Sequence, residues 1–164
     1  MQSNESFLKY PGKVFANDNF VFISDSGNHR IIISDLQGKV HFVIGDAGIK
    51  GHSDGSFTEA RFDSPQGLAF DKVRKCLYVC DTNNHAIRCI DLEQRQVSTI
   101  SGNGNQSLNS SMPNGHKGLE VALASPWDLC LNQDNTGLYI AMAGSHQIWL
   151  LNLDTNILSL KGTN

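Results

Sequence analysis

Residues 64–91 read SPQGLAFDKVRKCLYVCDTNNHAIRCID, and the chain says nearly the same thing on either side of them. Residues 125–154 read SPWDLCLNQDNTGLYIAMAGSHQIWLLNLD, and a shorter copy, YPGKVFANDNFVFISDSGNHRIIISD, occupies residues 10–35. Anchor residues fall in step. Pro11, Pro65 and Pro126 open the copies, and Phe22, Tyr78 and Tyr139 stand in the middle. His29, His85 and His146 follow a turn, with Ile31, Ile87 and Ile148 two residues later. Successive histidines are 56 and 61 residues apart. An internal period of this length marks a repeat architecture.

Within one copy, four short apolar runs alternate with turn chemistry. In the middle copy these are Gly67–Phe70, Cys76–Cys80, Ala86–Asp91 and Gln96–Ser101, of strand length and largely strand composition. Ser26-Gly27-Asn28 and Thr82-Asn83-Asn84 separate the second run from the third, and Gly and Asn tolerate the positive φ of a tight hairpin. No stretch keeps a helical i, i+3, i+4, i+7 pattern over three turns. The pattern predicts an all-β chain of twelve strands in three four-stranded antiparallel sheets, with helix confined to a turn near Thr58–Phe62 or Leu119–Leu123. Four antiparallel strands per repeat is the blade of a β-propeller. Blades stack face to face, which accounts for near-continuous apolar runs such as Arg30-Ile31-Ile32-Ile33 and Gln147-Ile148-Trp149-Leu150-Leu151. A β-sandwich does not predict a proline at one phase of every copy.

The run Asp-Ser-Gly-Asn-His-Arg-Ile at 25–31, Asp-Thr-Asn-Asn-His-Ala-Ile at 81–87 and Ser-Pro-Gln-Gly-Leu-Ala at 64–69 resemble the NHL repeat. The resemblance covers nearly the whole chain. The pieces at 125–128 and 141–149 resemble the branch whose members join a thioredoxin-like domain to a six-bladed NHL propeller. It implies about three blades of such a propeller over residues 1–164, with repeats near 10–62, 64–123 and 125–164. It implies recognition of a protein partner, with no catalysis and no cofactor. The third copy departs from the pattern. Met142 stands in place of Asp25 and Asp81, and Gln147 in place of Arg30.

Three blades do not close a ring, and an open stack exposes two apolar faces. We expect a piece of a longer chain; a pairing of two copies into six blades and a mis-specified gene are the other readings. The exposed faces are expected to carry Val21, Ile23, Ile32 and Val43 at one end and Ile140, Trp149 and Leu151 at the other. Net charge is −3, and the densest basic stretch, Lys72-Val73-Arg74-Lys75, falls in a turn. A nucleic-acid surface needs a basic stripe, so an RNA-binding propeller ranks low. The first thirteen residues lack the apolar segment of a signal peptide, and no run approaches the ~20 apolar residues of a membrane span. Cys76 and Cys80 lie on one strand about 13 Å apart, too far for a disulfide. Cys76, Cys80, Cys89 and Cys130 are therefore expected as free thiols in the cytosol. The sequons at Asn4, Asn105 and Asn109 are discounted as chance triplets in polar segments.

Candidate chemistry is sparse. His29, His85 and His146 sit on different blades, at least ~10 Å apart, while zinc ligands share one ion at ~2 Å. They are read as turn residues. Asp25 and Asp81 close the second strand of their copies. They are the weak candidates for an axial cation site in a propeller hydrolase or lyase. The plainer reading has them accepting local backbone N–H bonds, with Asn28 and Asn84 beside them in the same turns. The glycine-rich linkers Gly45–Asp63 and Gly102–Ala124 end in Glu-x-x-[Phe/Leu]-x-Ser-Pro, and Phe62 and Leu123 are read as plugs between blades. No phosphate loop, nucleophile elbow, C-x-x-C or H-E-x-x-H occurs. Trp127 and Trp149 are both read as core.

Overall fold

The computed structural model describes residues 7–107 and 114–162. Asn4 and Asn109 lie outside them. The described chain is all-β, with β1 (Lys13–Ala16), β2 (Phe20–Asp25), β3 (Arg30–Asp35) and β4 (Val40–Ile44) forming the first sheet in that order. The second sheet holds β5 (Gly55–Ser56), β6 (Pro65–Asp71), β7 (Cys76–Asp81), β8 (Ala86–Asp91) and β9 (Gln96–Ser101) in the order β5-β9-β8-β7-β6. The third holds β10 (His116–Lys117), β11 (Pro126–Leu131), β12 (Gly137–Met142), β13 (Gln147–Asn152) and β14 (Ile157–Leu160) in the order β10-β14-β13-β12-β11. Every paired strand within the sheets runs antiparallel. These are three propeller blades, each a meander whose first strand is innermost. β6 lies between β1 and β11 and against both, while β4, β9 and β14 stay on the periphery.

The expected four strands per blade are present, and the linkers add two. Gly55-Ser56 pairs with β9 and His116-Lys117 with β14. Each linker thus crosses the rim and satisfies the free edge of the following blade, which would otherwise present unpaired N–H and C=O groups. The repeat turns are single 3-10 turns, at Ser26–Asn28, Thr82–Asn84 and Ala143–Ser145, with a fourth at Gly118–Glu120. The last overlaps Leu119–Leu123, one of the two segments where a helical turn was expected, while Thr58–Phe62 forms no helix. Gly and Asn do not supply the positive φ of the repeat turns. His29, His85 and His146 do, each left-handed at the end of its turn (φ 55°, 50° and 55°).

Pleating sorts each blade into two faces. In blade 1, Phe22, Ile31, Ile33 and Ile44 face blade 2 and pack with Leu68, Leu77, Val79, Ile90 and Val97. Tyr78, Cys80 and Ile87 on the other face of blade 2 pack with Leu129, Ile140, Trp149 and Leu151 of blade 3. Phe62 and Leu123 are fully buried, one in each seam. At ~1.5–3 kcal/mol per buried large apolar side chain, these two seams hold the arc together.

The same sorting corrects several sequence expectations. Ile148 and Tyr139 occupy the phase of Ile87 and Tyr78 but are 43% and 39% exposed. Their face points away from blade 2, and no other sheet of the described residues lies against it. Ile140, Trp149 and Leu151, expected on the open face, are buried in the seam with blade 2. On the outer face of blade 1, Val14, Ile23, Ile32 and Val43 form one cross-strand row. Val14 is 64% exposed and Val43 37%, but Ile32, on a central strand, is buried.

Candidate functional site

The recurring Asp and Asn are clamps. Each holds the segment leading into its own blade. The Asp25 carboxylate accepts the Lys9 backbone N–H, the Asn28 amide and the Arg30 Nε–H, at 2.7, 2.8 and 2.7 Å. Asp81 accepts the Asp63 N–H, the Asn84 amide and the Arg88 Nη1–H at 2.8, 2.9 and 2.7 Å. Asn84 and Arg88 then donate to linker carbonyls, at Gly51 for the first and Ser53 and Arg61 for the second. Arg88 also reaches Asp54. Burial pushes the Asp81 carboxyl up to about 6, against the pull of Arg88, Asn84 and the Asp63 N–H. Both carboxylates are committed to local donors, and no group of three or more His, Cys, Asp or Glu converges among the described residues. In blade 3 Met142 and Ser145 replace the Asp and Asn, Met142 packs into the core, and the buried Ser145 hydroxyl finds no partner among the described residues.

His29 and His85 do something their turn position did not announce, whereas His146 lines an open concavity on blade 3. The rings of the first two reach across to the next blade. His29 Nδ1 accepts the Ser64 N–H at 3.1 Å, and His85 Nδ1 accepts the Ser125 N–H at 3.2 Å. Beside each bond, a hydroxyl from the 3-10 turn donates to the carbonyl of the following proline, Ser26 to Pro65 and Thr82 to Pro126. The signal lay in the recurrence of Ser-Pro one linker after His29 and again after His85, but nothing local shows that the two meet.

At the same end of the blades the three inner strands converge. Gly12, Lys13, Gln66, Gly67, Trp127 and Asp128 line a shallow depression of about 50 Å³ at the mouth of the axis. Lys13 of blade 1 forms an ion pair with Asp128 of blade 3. Gly67 lets the two inner strands approach: a Cβ there would lie 2.6 Å from Asp128 Cα. Trp127, read from sequence as core, is 54% exposed. A β-bulge is the reason. Pro126 opposes Met142 and Asp128 opposes Ala141, so Trp127 is the extra residue, turned out of the ladder. Bulges re-aim side chains in this way. Trp149, by contrast, is buried as expected.

The opposite end carries a larger groove of about 400 Å³. Phe15, Phe20, Phe70 and Leu92 form its apolar walls, and Asp18, Lys72, Lys75 and Glu93 its mixed-charge rim. Lys72 and Lys75 are thus interleaved with acids, and Arg74 between them is paired with Asp71 and Asp154. The four cysteines are free. Cys76 and Cys89 meet thiol to thiol across β7 and β8. No helix is long and apolar enough to cross a membrane among the described residues.

Comparison with known proteins agrees with this architecture. The profile of the NHL repeat matches residues 62–90, the stretch from the blade 2 lead-in through β8. Protein SUPPRESSOR OF QUENCHING 1, chloroplastic, of Arabidopsis thaliana is 48% identical over 144 residues, 87% of this chain and 14% of that protein. NHL repeat-containing protein 2 is 42% identical over 163 residues in Bos taurus and 40% over 162 residues in Homo sapiens, in each case 94% of this chain and 22% of the relative. The chain therefore spans less than a quarter of the length of these curated relatives. Among solved structures, an auxiliary nutrient binding protein from Bacteroides thetaiotaomicron superposes with a TM-score of 0.67 at 18% identity, over 91% of this chain and 37% of that one. A structural genomics protein from the same organism gives 0.66 at 20% identity, over 95% of this chain and 38% of its own. Those two likenesses speak to the fold alone. With the repeat profile on blade 2 and relatives aligned along most of the chain, the protein is a run of propeller blades, one of them matching the NHL repeat, similar to a stretch of NHL repeat-containing protein 2.

Proposed function

We propose that these blades are a non-catalytic recognition scaffold whose partner is a protein held at the axial mouth. The observation that carries this reading is Trp127, a large aromatic turned to solvent by a bulge on the innermost strand of a rigid blade. An exposed Trp ringed by polar side chains is the typical anchor of a protein interface. Here Gln66, Lys13 and Asp128 supply the polar rim. The commitment of Asp25 and Asp81 to backbone and side-chain donors supports a structural role for them over an axial cation site. The test is affinity capture from a cell lysate with wild type and Trp127→Ala side by side, quantified by mass spectrometry. A Lys72→Glu/Lys75→Glu variant in the opposite groove serves as comparison. Trp127→Ala is expected to lose specific partners roughly 10-fold or more, with unchanged circular dichroism and melting. Loss with the groove variant alone would move the site to the other end. Metal copurifying in stoichiometric amount would favour a hydrolase or lyase.

A further inference from the structure

The first seam, between blades 1 and 2, and the second, between blades 2 and 3, differ at the end away from the axial mouth. In the second seam the protein closes its own gap. Arg74, in the turn between β6 and β7, takes Asp71 on its own blade and reaches across to blade 3. There it donates to the Asn135 carbonyl and the Asp154 carboxylate. The corresponding turn of blade 1, residues 17–19, has no cation and carries Asp18 instead. Glu93 holds in blade 2 the place of Asp154 in blade 3. Each follows by two residues the strand end, Asp91 or Asn152, that faces Cys76 or Gly137. Among the described residues, no ion pair or side-chain hydrogen bond engages Asp18, Glu93, Lys72 or Lys75.

The gap left in the first seam is the groove of about 400 Å³, and every residue lining it belongs to blade 1 or blade 2. Its base is aromatic. Phe22 is fully buried, with the rings of Phe15, Phe20 and Phe70 centred 6.0, 6.4 and 5.0 Å from its own. Those three rings and Leu92 stay partly exposed along the groove. In register, the second seam has Ala69 and Cys76 where the first has Phe15 and Phe20. The open seam is therefore the one faced with aromatic rings, which attract a cation as well as an apolar stem. Its size suits a single long side chain or a small molecule.

We propose that this groove binds an arginine of a partner peptide, which takes in the first seam the part that Arg74 plays in the second. The guanidinium donates to the Asp18 and Glu93 carboxylates from its planar fork of N–H groups. Its methylene stem lies along Phe15, Phe20, Phe70 and Leu92. Lys72 and Lys75 on the same rim attract a carboxylate next to the arginine and penalise a run of basic residues. The ligand is thus a peptide segment of balanced charge, with an arginine beside an acid. The site lies at the end opposite Trp127 and does not rest on the reading of the axial mouth.

The test titrates the purified protein with benzoyl-arginine, which joins a guanidinium, an apolar ring and a carboxylate in one small molecule, and follows the backbone amide NMR shifts. Benzoyl-citrulline, with a neutral urea of the same shape, is the paired probe. The arginine probe is expected to shift the amides of residues 17–20, 72–75 and 92–93 and to bind roughly 10-fold more tightly than the citrulline probe. Asp18→Asn and Glu93→Gln, both at exposed positions, are each expected to weaken it about 3- to 10-fold while leaving the remaining spectrum in place. Lys75→Gln is expected to weaken benzoyl-arginine but not benzoyl-argininamide, which lacks the carboxylate. Absence of saturable binding up to about 10 mM overturns the proposal. So do equal affinities for the arginine and citrulline probes, shifts centred outside the groove, or binding indifferent to both Asp18→Asn and Glu93→Gln.

Discussion

Arg88 holds a full charge with no exposed surface, and its surroundings show what the repeat motif is for. Its guanidinium is shared between Asp81, Asp54 and two linker carbonyls, so one residue pins the blade 1–blade 2 linker to the second blade. Removing the buried carboxylate is costlier than never having had it. Asp81→Ala leaves Arg88 with only the half-exposed Asp54 as counter-charge and is expected to cost roughly 3–5 kcal/mol, read from urea unfolding. His85 gives a pH signature. Burial holds its imidazole below the ordinary histidine range, because protonation places charge in a partly dry seam and consumes the lone pair that takes the Ser125 N–H. The unfolded chain therefore binds this proton first. The contribution is full above about pH 6.5 and is lost as pH falls through the lowered folded value. Asp81, raised to about 6, works in the opposite sense between its two values, so the comparison must be differential. The stability advantage of wild type over His85→Asn is expected to shrink from about pH 7.5 to about pH 5. An advantage independent of pH would remove His85 from the seam.

At the scale of strands and turns, the repeat was legible because its signals are local. Proline, turn residues and short apolar runs mark β6 to β9 without reference to anything distant. What failed was the phase of burial, and Ile87 and Ile148 show why. They are the same residue at the same place in the same kind of strand, yet one is fully buried and the other 43% exposed. Sequence periodicity says which side of a strand a residue takes. It says nothing about whether another sheet covers that side. Ile87→Ala is expected to cost about 2–5 kcal/mol, whereas Ile148→Ala in the monomer is expected to stay within about 0.5 kcal/mol. Equivalent losses at both sites would mean that the blade 3 face is covered. Trp127 failed for another reason. A bulge adds one residue to a strand and reverses every side-chain assignment at that point, and Trp-Asp after Ser-Pro carries no mark of it.

For the whole molecule, the cysteines report which faces are open. Cys80 is fully buried in the second seam, where burial raises its thiol well above the ordinary range. Cys130 is exposed on the uncovered face of blade 3, in register with Tyr139. Alkylation under native conditions, followed by mass spectrometry, is expected to modify Cys130 first and Cys80 only after unfolding. The sequence by itself determined the strand content, the three-fold repetition and the resemblance to NHL repeats, because turn chemistry and pleat periodicity act between near neighbours in the chain. It also picked out Phe62 and Leu123 as plugs, since their phase relative to Ser-Pro recurs. Only the tertiary structure decided that His29 and His85 bind the next blade, that Trp127 faces solvent at the axis, and that the open faces begin at Val14 and end at Ile148. Those outcomes depend on which sheet lies against which, and stacking joins residues some 35 to 44 positions apart through surfaces that no single strand encodes.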